Sequence, residues 1–565
     1  MNNNIYKTSN LFFPTIKETK NNIKSTSHKL MIKAGIIRQT ASGIYTLLPL
    51  GLLSINKIQF IIKKYLNEIN CQEILMPILQ PKNLWDESKR WDKYGSQLFN
   101  LKDRKNRKFC LGPTHEEIVT DLIRHNIYGY KQFPITLYQI QTKFRDEYRP
   151  KFGLIRAREF IMKDAYSFHM NKKCLNYTYN KIRTAYIKIF NLFNLEYKIV
   201  IADSGEIGGN LSEEFHIISK TGEDKIAISK KSNFASNVEL AIPGYIKKKN
   251  LKKLKNKKIN IKKNKINIKY KSYKNNSNIK TIKTILLKGK KKKSPIIIII
   301  IKKIYQINSL KLIKNKIIKK PLQIIQNKYI NIEKVKDKIP IIIDNSTYNN
   351  TNYSQKLNKK NLWKININLL LKNIKINDIR YISNLDISPC GNGYIKIKKG
   401  TEVGHIFKLG NKYSTLMKTQ INNNNKQSQY IEMGCYGIGI SRLLSIIIEQ
   451  TCDKHGIIFP EIISPFNVII IPINLKNKII KEYTINLYKE LKDKKIDVII
   501  ENRKINIQII LSEIDLIGIP HRIIINEKNL LLNKLEYKSR NSKNIFLLNK
   551  NEIFNIIEKN LKKCI

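Results

Sequence analysis

Three separated stretches of the 565-residue sequence combine residue types that can bind a nucleotide and an amino acid. The longest, residues 136–168 (TLYQIQTKFRDEYRPKFGLIRAREFIMKDAYSF), has two strand-like hydrophobic runs around an arginine-rich loop, which predicts an antiparallel hairpin with a basic tip. Arg145 can form a bidentate fork to phosphate or carboxylate oxygens, Glu147 can accept from an amino group, and Phe160 offers a ring face to a base. Singly, these would be surface charges and a core phenylalanine in most proteins, but together they favour a nucleotide site.

The second stretch, GCYGIGISR at 434–442, places three glycines ahead of an arginine and an apolar helix that we predict to begin near Ile440. Glycines let a ligand approach the backbone closely, and Arg442 at the start of a helix can face an anion. Without the first stretch, a helix entry packed against a sheet would be the better interpretation.

The third stretch, LGPTHEEIVTDLI, sets Thr114 and Glu116 two residues apart. A hydroxyl and a carboxylate can together accept both hydrogens of an ammonium group. Thr114 followed by Glu117 also fits a helix capping box ahead of an apolar run, and both interpretations can hold at once.

The elements that must position these residues fall into regions of different composition. From Ser27 to about Lys225 the sequence pattern is typical of an α/β enzyme, with helical periodicity over Ile55–Leu66 and a short strand-like run ending at Met76–Pro77. Between Glu239 and Glu333 there are 29 lysines, no arginine and no acidic residue. Such a charge run is usually a solvated face or a disordered segment, although TIKTILLKG and SPIIIIII are strand-like. The enzyme-like texture returns near Asp386, so the lysine-rich part is an insertion.

After Pro465 the order strand, helix, strand, helix, strand predicts a separate α/β module, with one helix from about Lys478 to Lys495.

The chain carries 105 lysines and arginines against 43 acids, a formal charge of +62. A polyanionic partner explains part of this excess, and a bias towards Ile, Lys and Asn codons explains most of it. Seven scattered cysteines, none in a Cys-x-x-Cys pair, indicate neither a disulfide framework nor a structural zinc site. The apolar run Ile296–Ile301 is far shorter than the roughly 20 residues of a membrane span. We therefore expect a cytoplasmic protein that does not enter a membrane.

At this point the sequence resembles a known family. FRDE followed by RPKFGLIRAREF is similar to motif 2 of class II aminoacyl-tRNA synthetases, GIGISR is similar to motif 3, and residues 43–77 resemble motif 1. Together with GPTHEE, MKDAYSFH, GEIGGN, EVGHIF and MGCYGIG, these motifs resemble the bacterial type of prolyl-tRNA synthetase over nearly the whole chain outside the lysine-rich insertion.

The resemblance implies an α+β fold: a class II antiparallel-sheet catalytic domain interrupted by an α/β insertion, followed by a C-terminal α/β anticodon-binding domain. The bounds we expect are 1–225 and 386–464 for the two parts of the catalytic domain, 226–385 for the insertion, and 465–565 for the anticodon-binding domain. The implied partners are L-proline, tRNA(Pro) and a second copy of the chain in a homodimer, with ATP as substrate and Mg²⁺ whose ligands stay open.

The resemblance also assigns roles to individual residues. Arg145 meets the α-phosphate and the amino-acid carboxylate, Glu147 the adenine amino group, Phe160 the adenine face, and Arg442 the γ-phosphate. The proline site is formed by Thr114 and Glu116 at the ring nitrogen, by Arg145 at the carboxylate, and by Phe168, His405 and Cys435 around the ring. Pro77 marks the dimer interface. No side-chain nucleophile is required, since catalysis is positioning plus stabilisation of charge, a role for Arg145 and Arg442.

Two departures from the family concern the insertion, which in bacterial relatives resembles an editing domain for alanyl-tRNA. Lys283 lies where the family has a lysine, but the glycine-rich GxxxP loop expected before IPIIID is replaced by EKVKDK. The turn expected to carry a histidine and an acid after Ile296–Ile301 is YQINSLKL. We therefore expect editing to be lost or weak. In the C-terminal module, the R…GxKF pattern of relatives is replaced by RKINIQII from Arg503.

Other functions fit fewer of these observations. A related synthetase for threonine would share motifs 2 and 3, but the sequence has no cysteine–histidine set for a zinc-based amino-acid pocket. A catalytically inactive relative that only binds RNA would have no need of Arg145, Arg442, Thr114 and Glu116 together, and a pure nucleic-acid-binding protein explains none of the four.

Overall fold

The structure, a computed structural model, describes two compact units of the chain. The described residues are 5–19, 23–203, 205, 207–209, 211–219, 221–244, 281–289, 296–315, 317–318, 322–326, 340–348, 352–356, 362–366, 374–384, 386–424 and 426–562. The first unit comprises Met1–Glu223 and Lys399–Ile565, and the second comprises Asp224–Lys398.

The helices and strands of both units are numbered in chain order. The helices are α1 (Thr26–Lys33), α2 (Pro49–Asn67), α3 (Lys82–Glu87), α4 (Trp91–Tyr94), α5 (Glu116–Asn126), α6 (Lys172–Leu192), α7 (Ser309–Lys314), α8 (Asn345–Tyr348), α9 (Lys412–Leu416), α10 (Ile440–Gln450), α11 (Lys478–Asp493), α12 (Ile507–Ile517), α13 (Glu527–Leu531) and α14 (Lys550–Lys562). The strands are β1 (Ile37–Ala41), β2 (Ile44–Leu47), β3 (Gln72–Glu73), β4 (Leu79–Pro81), β5 (Phe99–Lys102), β6 (Lys108–Leu111), β7 (Ile135–Phe144), β8 (Glu159–His169), β9 (Tyr197–Ala202), β10 (Leu211–Ile218), β11 (Asp224–Ser229), β12 (Ala235–Asn237), β13 (Thr281–Lys288), β14 (Ile296–Lys302), β15 (Ile324–Gln326), β16 (Ile341–Asp344), β17 (Asn352–Lys356), β18 (Leu362–Asn366), β19 (Ile374–Asn377), β20 (Ile395–Gly410), β21 (Gln420–Asn422), β22 (Ser428–Tyr430), β23 (Glu432–Gly439), β24 (Val468–Pro472), β25 (Val498–Ile500), β26 (His521–Ile525), β27 (Leu535–Ser539) and β28 (Phe546–Leu548).

The first unit is built on a sheet in which the strands follow the order β9, β10, β20, β23, β8, β7, β3. Each neighbouring pair is antiparallel except β3 with β7, which is parallel. Strands β7 and β8 are the hairpin expected from residues 136–168, with Ile135 opposite Phe168 and, next to the loop, Phe144 opposite Glu159. The hairpin prediction is therefore confirmed.

The two faces of this sheet have different roles, because successive side chains of a strand point to opposite sides. Helices α2, α6 and α10 cover one face, where Tyr186 and Leu444 join a large buried apolar cluster. Lys163 of β8 points to this side and donates to the Tyr186 hydroxyl and to the Tyr436 carbonyl. The next residue along β8, Asp164, consequently points to the other face, which carries the candidate site.

Helix α2 follows from the spacing predicted for it, and Ile55, Ile58 and Ile62 are buried along one side. Pro49 at its first turn suits a helix start because the proline ring fixes φ and lacks an N–H that would have no partner there. The strand after α2 is shorter than expected, since β3 ends at Glu73. Side chains hold Met76 instead: its N–H donates to Gln139 at 2.9 Å and its carbonyl accepts from Gln141 at 2.6 Å.

The chain after Pro465 forms a five-stranded sheet in the order β25, β24, β26, β27, β28. Strand β24 is parallel to β25 and to β26, as the alternation of strands and helices predicted. Helix α11 begins after its cap Asn477 and ends at Asp493, so the helix predicted over Lys478 to Lys495 is confirmed. The antiparallel strands β27 and β28 and helix α14 complete the module.

An N-terminal segment is bonded to this C-terminal module. Lys7 forms a parallel bridge with Ile500 at the edge strand β25, and the Thr8 hydroxyl donates to Glu501 at 2.6 Å. Arg503 pairs with Glu501 at 2.7 Å, also pairs with Glu513, and lies over the ring of Phe13. Arg503, at the position where the sequence departs from the family pattern, is thus partly buried and held by two ion pairs.

The second unit contains a mixed sheet in the order β18, β17, β13, β14, β16, β19, with β15 paired to β13. Its core includes the fully buried residues Ile298, Ile299, Ile300 and Ile301 of β14. The strands predicted from TIKTILLKG and SPIIIIII are confirmed as the antiparallel pair β13 and β14. The segment EKVKDK lies outside the described residues.

Candidate active site

Thr114 and Glu116 lie at the start of α5 and contact each other directly. The Thr114 hydroxyl donates to Glu116 Oε2 at 2.6 Å, and the Cys435 thiol donates to Glu116 Oε1 at 3.3 Å. All three side chains are buried. The capping-box interpretation of Thr114 is wrong, because α5 begins after His115 and, within the described residues, no side chain caps it. The structure thus joins three of the predicted proline-site residues into one cluster.

Glu116 shares a buried arginine with its neighbour Glu117. Arg90 Nη1 lies 3.1 Å from Glu116 Oε2 and 2.9 Å from Glu117 Oε1, and the Ser88 hydroxyl donates to Glu117 at 2.7 Å. Burial alone would raise the pKa of Glu116, but the charge of Arg90 and hydrogen bonds from Thr114 and Cys435 lower it below its ordinary value. Burial raises the pKa of Glu117 in spite of Arg90. The charge of Arg90 and these hydrogen bonds therefore favour the ionised form of the carboxylate that faces Thr114.

A second buried network supports the same segment from the sheet. Lys143 pairs with Asp164 at 2.9 Å and donates to His115 Nδ1 at 2.8 Å. Burial and the charge of Lys143 lower the pKa of His115 to about 4, so this ring is neutral at physiological pH. Tyr166 donates to Asp164 at 2.9 Å and accepts from the backbone N–H of His115 at 3.0 Å. Side chains of strands β7 and β8 therefore hold the segment from Thr114 to Glu116 in place.

Arg145 lies at the loop end of the hairpin, beside Phe160 and next to this cluster. Its guanidinium carbon is 5.2 Å from the centre of the Phe160 ring, and its Nη2 reaches the carbonyl of Pro113 at 3.5 Å. Arg145 Nε is buried and has no hydrogen-bond partner within the described part of the chain. A donor is therefore available here for an anion, one residue away from Thr114.

Glu147 is ion-paired with an arginine that the sequence did not single out. Arg156 contacts Glu147 Oε2 at 2.8 Å and bridges to Glu223 at 2.7 Å, while Arg158 donates to the backbone carbonyl of Glu147 at 3.1 Å. Arg156 and Arg158 thus connect the second half of the hairpin loop to Glu147 in its first half.

Arg442 lies in the first turn of α10, which begins at Ile440 as predicted. Its Nε donates to the Ile155 carbonyl at 2.8 Å and its Nη1 to the Glu402 carbonyl at 2.7 Å. These bonds connect the hairpin loop and strand β20 to the start of the helix, and among the described residues they leave Nη2 for a further acceptor.

His405 on β20 contacts acidic residues and an aromatic ring. Its Nδ1 is 3.0 Å from Glu402 and 3.6 Å from Glu214, and its ring stacks on Phe407 with centres 3.7 Å apart. Its Nε2 is buried without a partner among the described residues. The structure thus places His405 with Glu402 and Glu214 rather than in the hydrogen-bonded cluster around Thr114. The group around His405 and the cluster around Thr114 are connected through neighbouring strands, because Phe407 is opposite Cys435 and Cys435 is opposite Tyr166.

The last two predicted residues flank the cluster. Phe168 is fully buried and belongs to the same apolar cluster as Cys435, Met433 and Tyr413. Pro77 is exposed, and its carbonyl lies 3.1 Å from His115 Nε2. Since Nδ1 accepts from Lys143, Nε2 is the protonated nitrogen that donates to Pro77.

Sequence reasoning assigned no role in the site to Arg90, Glu117, Asp164, Glu214 or Glu402, and it considered Glu117 only as part of a capping box. Asp164 and Glu402 lie inside the quoted motifs MKDAYSFH and EVGHIF, and the strand period could have placed Asp164 on the face of Phe168. Arg90 follows Lys89 in a polar segment, and only the tertiary structure brings it to Glu116.

The residues Glu214, Glu402 and His405 form a group that could hold a metal ion. Two carboxylates suit a hard cation such as Mg²⁺, which prefers oxygen ligands. Within the described residues no cysteine belongs to such a group. The described helices include none that is both long and apolar enough to cross a bilayer.

The comparisons with known proteins agree with the fold described above. Residues 99–451 match the tRNA synthetase class II core domain (G, H, P, S and T), and residues 467–560 match the anticodon-binding domain. Proline–tRNA ligase of Buchnera aphidicola subsp. Schizaphis graminum is 44% identical, over 98% of this chain and 99% of that protein. The same enzyme of Buchnera aphidicola subsp. Baizongia pistaciae is 45% identical, over 98% and 99%.

Among solved structures, prolyl-tRNA synthetase from Cryptosporidium parvum, complexed with halofuginone and AMPPNP, aligns with a TM-score of 0.60 at 12% identity. The alignment covers 96% of this chain and 80% of that one, and it supports the fold. The predicted fold class is confirmed by these matches. The chain belongs to the proline–tRNA ligase family of class II aminoacyl-tRNA synthetases.

Proposed function

We propose that the chain activates L-proline with ATP and transfers the prolyl group to the 3′ end of tRNA(Pro). The observation that carries this proposal is the buried Thr114–Glu116 pair, in which an ionised carboxylate and a hydroxyl oxygen converge. Glu116 and Glu117 share one hydrogen-bonded guanidinium, so a cationic ligand nitrogen is favoured there. The ring nitrogen of proline supplies that cation together with an apolar ring for Phe168 and Cys435.

Arginines on both sides of this pocket suit the anionic parts of the substrates. Arg145 extends from Phe160 towards Pro113, beside the Thr114–Glu116 pair, and this position supports its assignment to the proline carboxylate and the α-phosphate. Arg442 is assigned to the γ-phosphate, Phe160 to the adenine face, and Glu147 to the adenine amino group. Because Glu147 is paired with Arg156, adenine binding is expected to use its remaining acceptor capacity.

The reaction needs positioned charge and no protein nucleophile. The proline carboxylate attacks the α-phosphorus, a new P–O bond forms, and the bond to pyrophosphate breaks. A hydroxyl of the terminal ribose of tRNA then attacks the acyl carbon, and AMP leaves. Arg145 and Arg442 stabilise charge on the phosphates during the first step.

Mg²⁺ fits beside this site. Glu402 and Glu214 would hold it, since Glu402 Oε2 lies 3.8 Å from Arg442 Nη1 at the predicted phosphate end. When bound, the ion would neutralise part of the phosphate charge.

We place a homodimer contact at the segment that includes Pro77. Leu75 is 78% exposed and Leu79 is 49% exposed, whereas the intervening Met76 is buried. An apolar row of this kind is typical of a protein interface. Leu75→Asp should lower the mass measured by light scattering from dimer to monomer, and Leu531→Asp, an exposed leucine of the C-terminal module, should not.

Binding of tRNA(Pro) is assigned to the C-terminal module and to the basic surface of the chain, and the cytoplasm is the expected location. All cysteines in the described part of the chain are free thiols, which fits a reducing compartment.

The insertion is proposed to be a basic scaffold with lost or weak editing. Asp344 and Asp386 pair with buried Arg380, and Asp378 pairs with Lys311 at 2.6 Å. These contacts engage the carboxylates in holding the fold. Purified protein should hydrolyse alanyl-tRNA(Pro) slowly or not at all, and rapid hydrolysis would contradict the proposal.

Proline-dependent ATP–pyrophosphate exchange tests the main proposal. Exchange should be fastest with proline, and threonine should not replace it. Alanine and cysteine should give weaker exchange, because a pocket discriminates one methylene by only about 1 to 3 kcal/mol. Arg145→Ala should lose about 10²- to 10³-fold in rate. Exchange that depends on threonine, or a normal rate in Arg145→Ala, would contradict the assignment.

A further inference from the structure

A segment outside the predicted site motifs supports both members of the Thr114–Glu116 pair. Gln80 Nε2 donates to the Thr114 carbonyl at 3.0 Å, and Trp85 Nε1 donates to Gln80 Oε1 at 2.8 Å. Arg90, between α3 and α4, bonds Glu116 through Nη1. Residues 80–90 therefore form a brace behind the amino-acid pocket.

Arg90 is confined more tightly than most arginines. Its side chain is 1% exposed, and its guanidinium lies over the rings of Trp85, Tyr94 and Tyr413 at 5.1 to 5.5 Å. Its Nε and Nη2 have no hydrogen-bond partner in the described ranges, so Nη1 makes all of its bonds to the carboxylates. The aromatic rings fix the guanidinium so that one nitrogen bridges two acids.

Arg90 bonds both Glu116 and Glu117, but the other contacts of the two carboxylates differ. Glu117 is anchored by Ser88 as well as by Arg90, and it faces the brace. Glu116 is bonded to Thr114 and Cys435 on its other side, where the ligand nitrogen is expected. Removing Arg90 would leave two adjacent buried carboxylates that cannot both stay ionised.

We propose that Arg90 is a positioning residue for amino-acid recognition. Anchored by Glu117 and by its aromatic cage, it keeps the Glu116 carboxylate ionised and directed towards Thr114, so that the pair can accept the hydrogens of the ring nitrogen. This inference rests on the proposed activation of proline.

The pH dependence of proline binding separates this role from a merely structural one. In the native protein Glu116 is ionised throughout the range from pH 6 to 9 because its pKa lies below the ordinary value. Without Arg90, burial and the charge of Glu117 both raise the pKa of Glu116, and the cations among the described residues that still act on it are Lys143 and Lys412. Protonation then removes an acceptor as the pH falls, whereas the ring nitrogen of proline stays charged over this range.

The test measures KM for proline and KM for ATP in the exchange assay from pH 6 to 9 for Arg90→Met and Arg90→Lys. Arg90→Met should raise KM for proline roughly 10- to 100-fold, with the larger increase at low pH, since a hydrogen bond to a charged group is lost. KM for ATP should change less than about twofold. Arg90→Lys keeps a charged donor and should recover most of the proline affinity. Arg124→Met is the matched control, because Arg124 lies on α5 and pairs with Glu87 and Asp121, away from Glu116.

Several results would overturn the proposal: an unchanged KM for proline in Arg90→Met, equal increases for proline and ATP, or an increase that does not vary with pH. If Arg90→Met does not fold, Arg90→Gln, which keeps an N–H donor without the charge, takes its place with the same expected pH dependence. Absence of proline-dependent exchange in the native protein would instead refute the proposed function, so the two failures are distinguishable.

Discussion

At the residue scale, Arg442, which we propose contacts the γ-phosphate, is already held by hydrogen bonds within the protein. Two of its nitrogens hold the backbone carbonyls of Ile155 and Glu402, so its position is set before any substrate binds. A preorganised donor is worth more than a mobile one, because no reorganisation is needed when charge develops.

Arg442→Ala should therefore reduce the rate of ATP–pyrophosphate exchange by about 10²- to 10³-fold. The exchange rate of Arg442→Lys should lie between those of the native protein and Arg442→Ala, because lysine keeps the charge but cannot bond two carbonyls with a planar group. Arg149→Ala is the control, because Arg149 is exposed in the same hairpin loop. A normal exchange rate in Arg442→Ala would contradict the role.

The cysteines provide a second prediction at this scale. Hydrogen bonds from Ser232 and Ser388 lower the pKa of the exposed Cys390 to about 7, whereas burial and the charge of Glu116 raise the pKa of Cys435. The thiolate is the reactive form, so iodoacetamide at pH 7.5 should label Cys390 before the other cysteines of the described residues. Mass spectrometry of peptides should show this order, and exchange activity should persist after Cys390 is labelled. Earlier labelling of Cys435 would be incompatible with its burial.

At the element scale, a close contact joins helix α12 to the segment after α10. Gly518 ends α12 with φ +87°, and a Cβ there would lie 2.3 Å from the Ile457 carbonyl. The same contact involves Gly456, where a Cβ would lie 2.4 Å from Leu516. Both positions require glycine if the helix is to approach this segment.

Gly518→Ala should consequently lower the free energy of unfolding by about 2 to 4 kcal/mol, the sum of left-handed strain and overpacking. Gly391→Ala is the control: Gly391 has a similar positive φ, +79°, but nothing lies within 4 Å of its Cβ position. Thermal unfolding of both variants should show the larger decrease for Gly518→Ala. Equal decreases would show that strain alone matters.

The elements that could be predicted from the sequence are those determined by residues close to one another in the chain. The hairpin of β7 and β8, the start of α10 at Ile440 and helix α11 each follow from periodicity, glycine or capping residues within a few positions. Arg90 could not be found in this way, because its bonds to Glu116 and Glu117 span 26 and 27 residues and depend on α3 packing against α5. Likewise, His405 was matched by its motif, whereas its contact with Glu214 depends on the register of β10 and β20.

At the scale of the whole molecule, the charge of +62 is far larger than the active site needs. The buried ionic groups of the site are nearly balanced: Arg90 pairs with Glu116 and Glu117, and Lys143 pairs with Asp164. Surface charge acts through released counterions when a polyanion binds, and that contribution weakens with salt. Buried pairs are screened much less.

These two kinds of charge predict different responses to salt. Raising the salt concentration from 50 to 200 mM should weaken tRNA(Pro) binding by at least about 10²-fold, because several phosphates are neutralised by lysine and arginine. ATP–pyrophosphate exchange without tRNA should change by less than about twofold over the same range. Filter binding and exchange on one preparation provide the comparison, with exchange as the internal control. If tRNA binding were as insensitive to salt as exchange, the lysine excess would reflect codon composition alone and would make no contribution to RNA recognition.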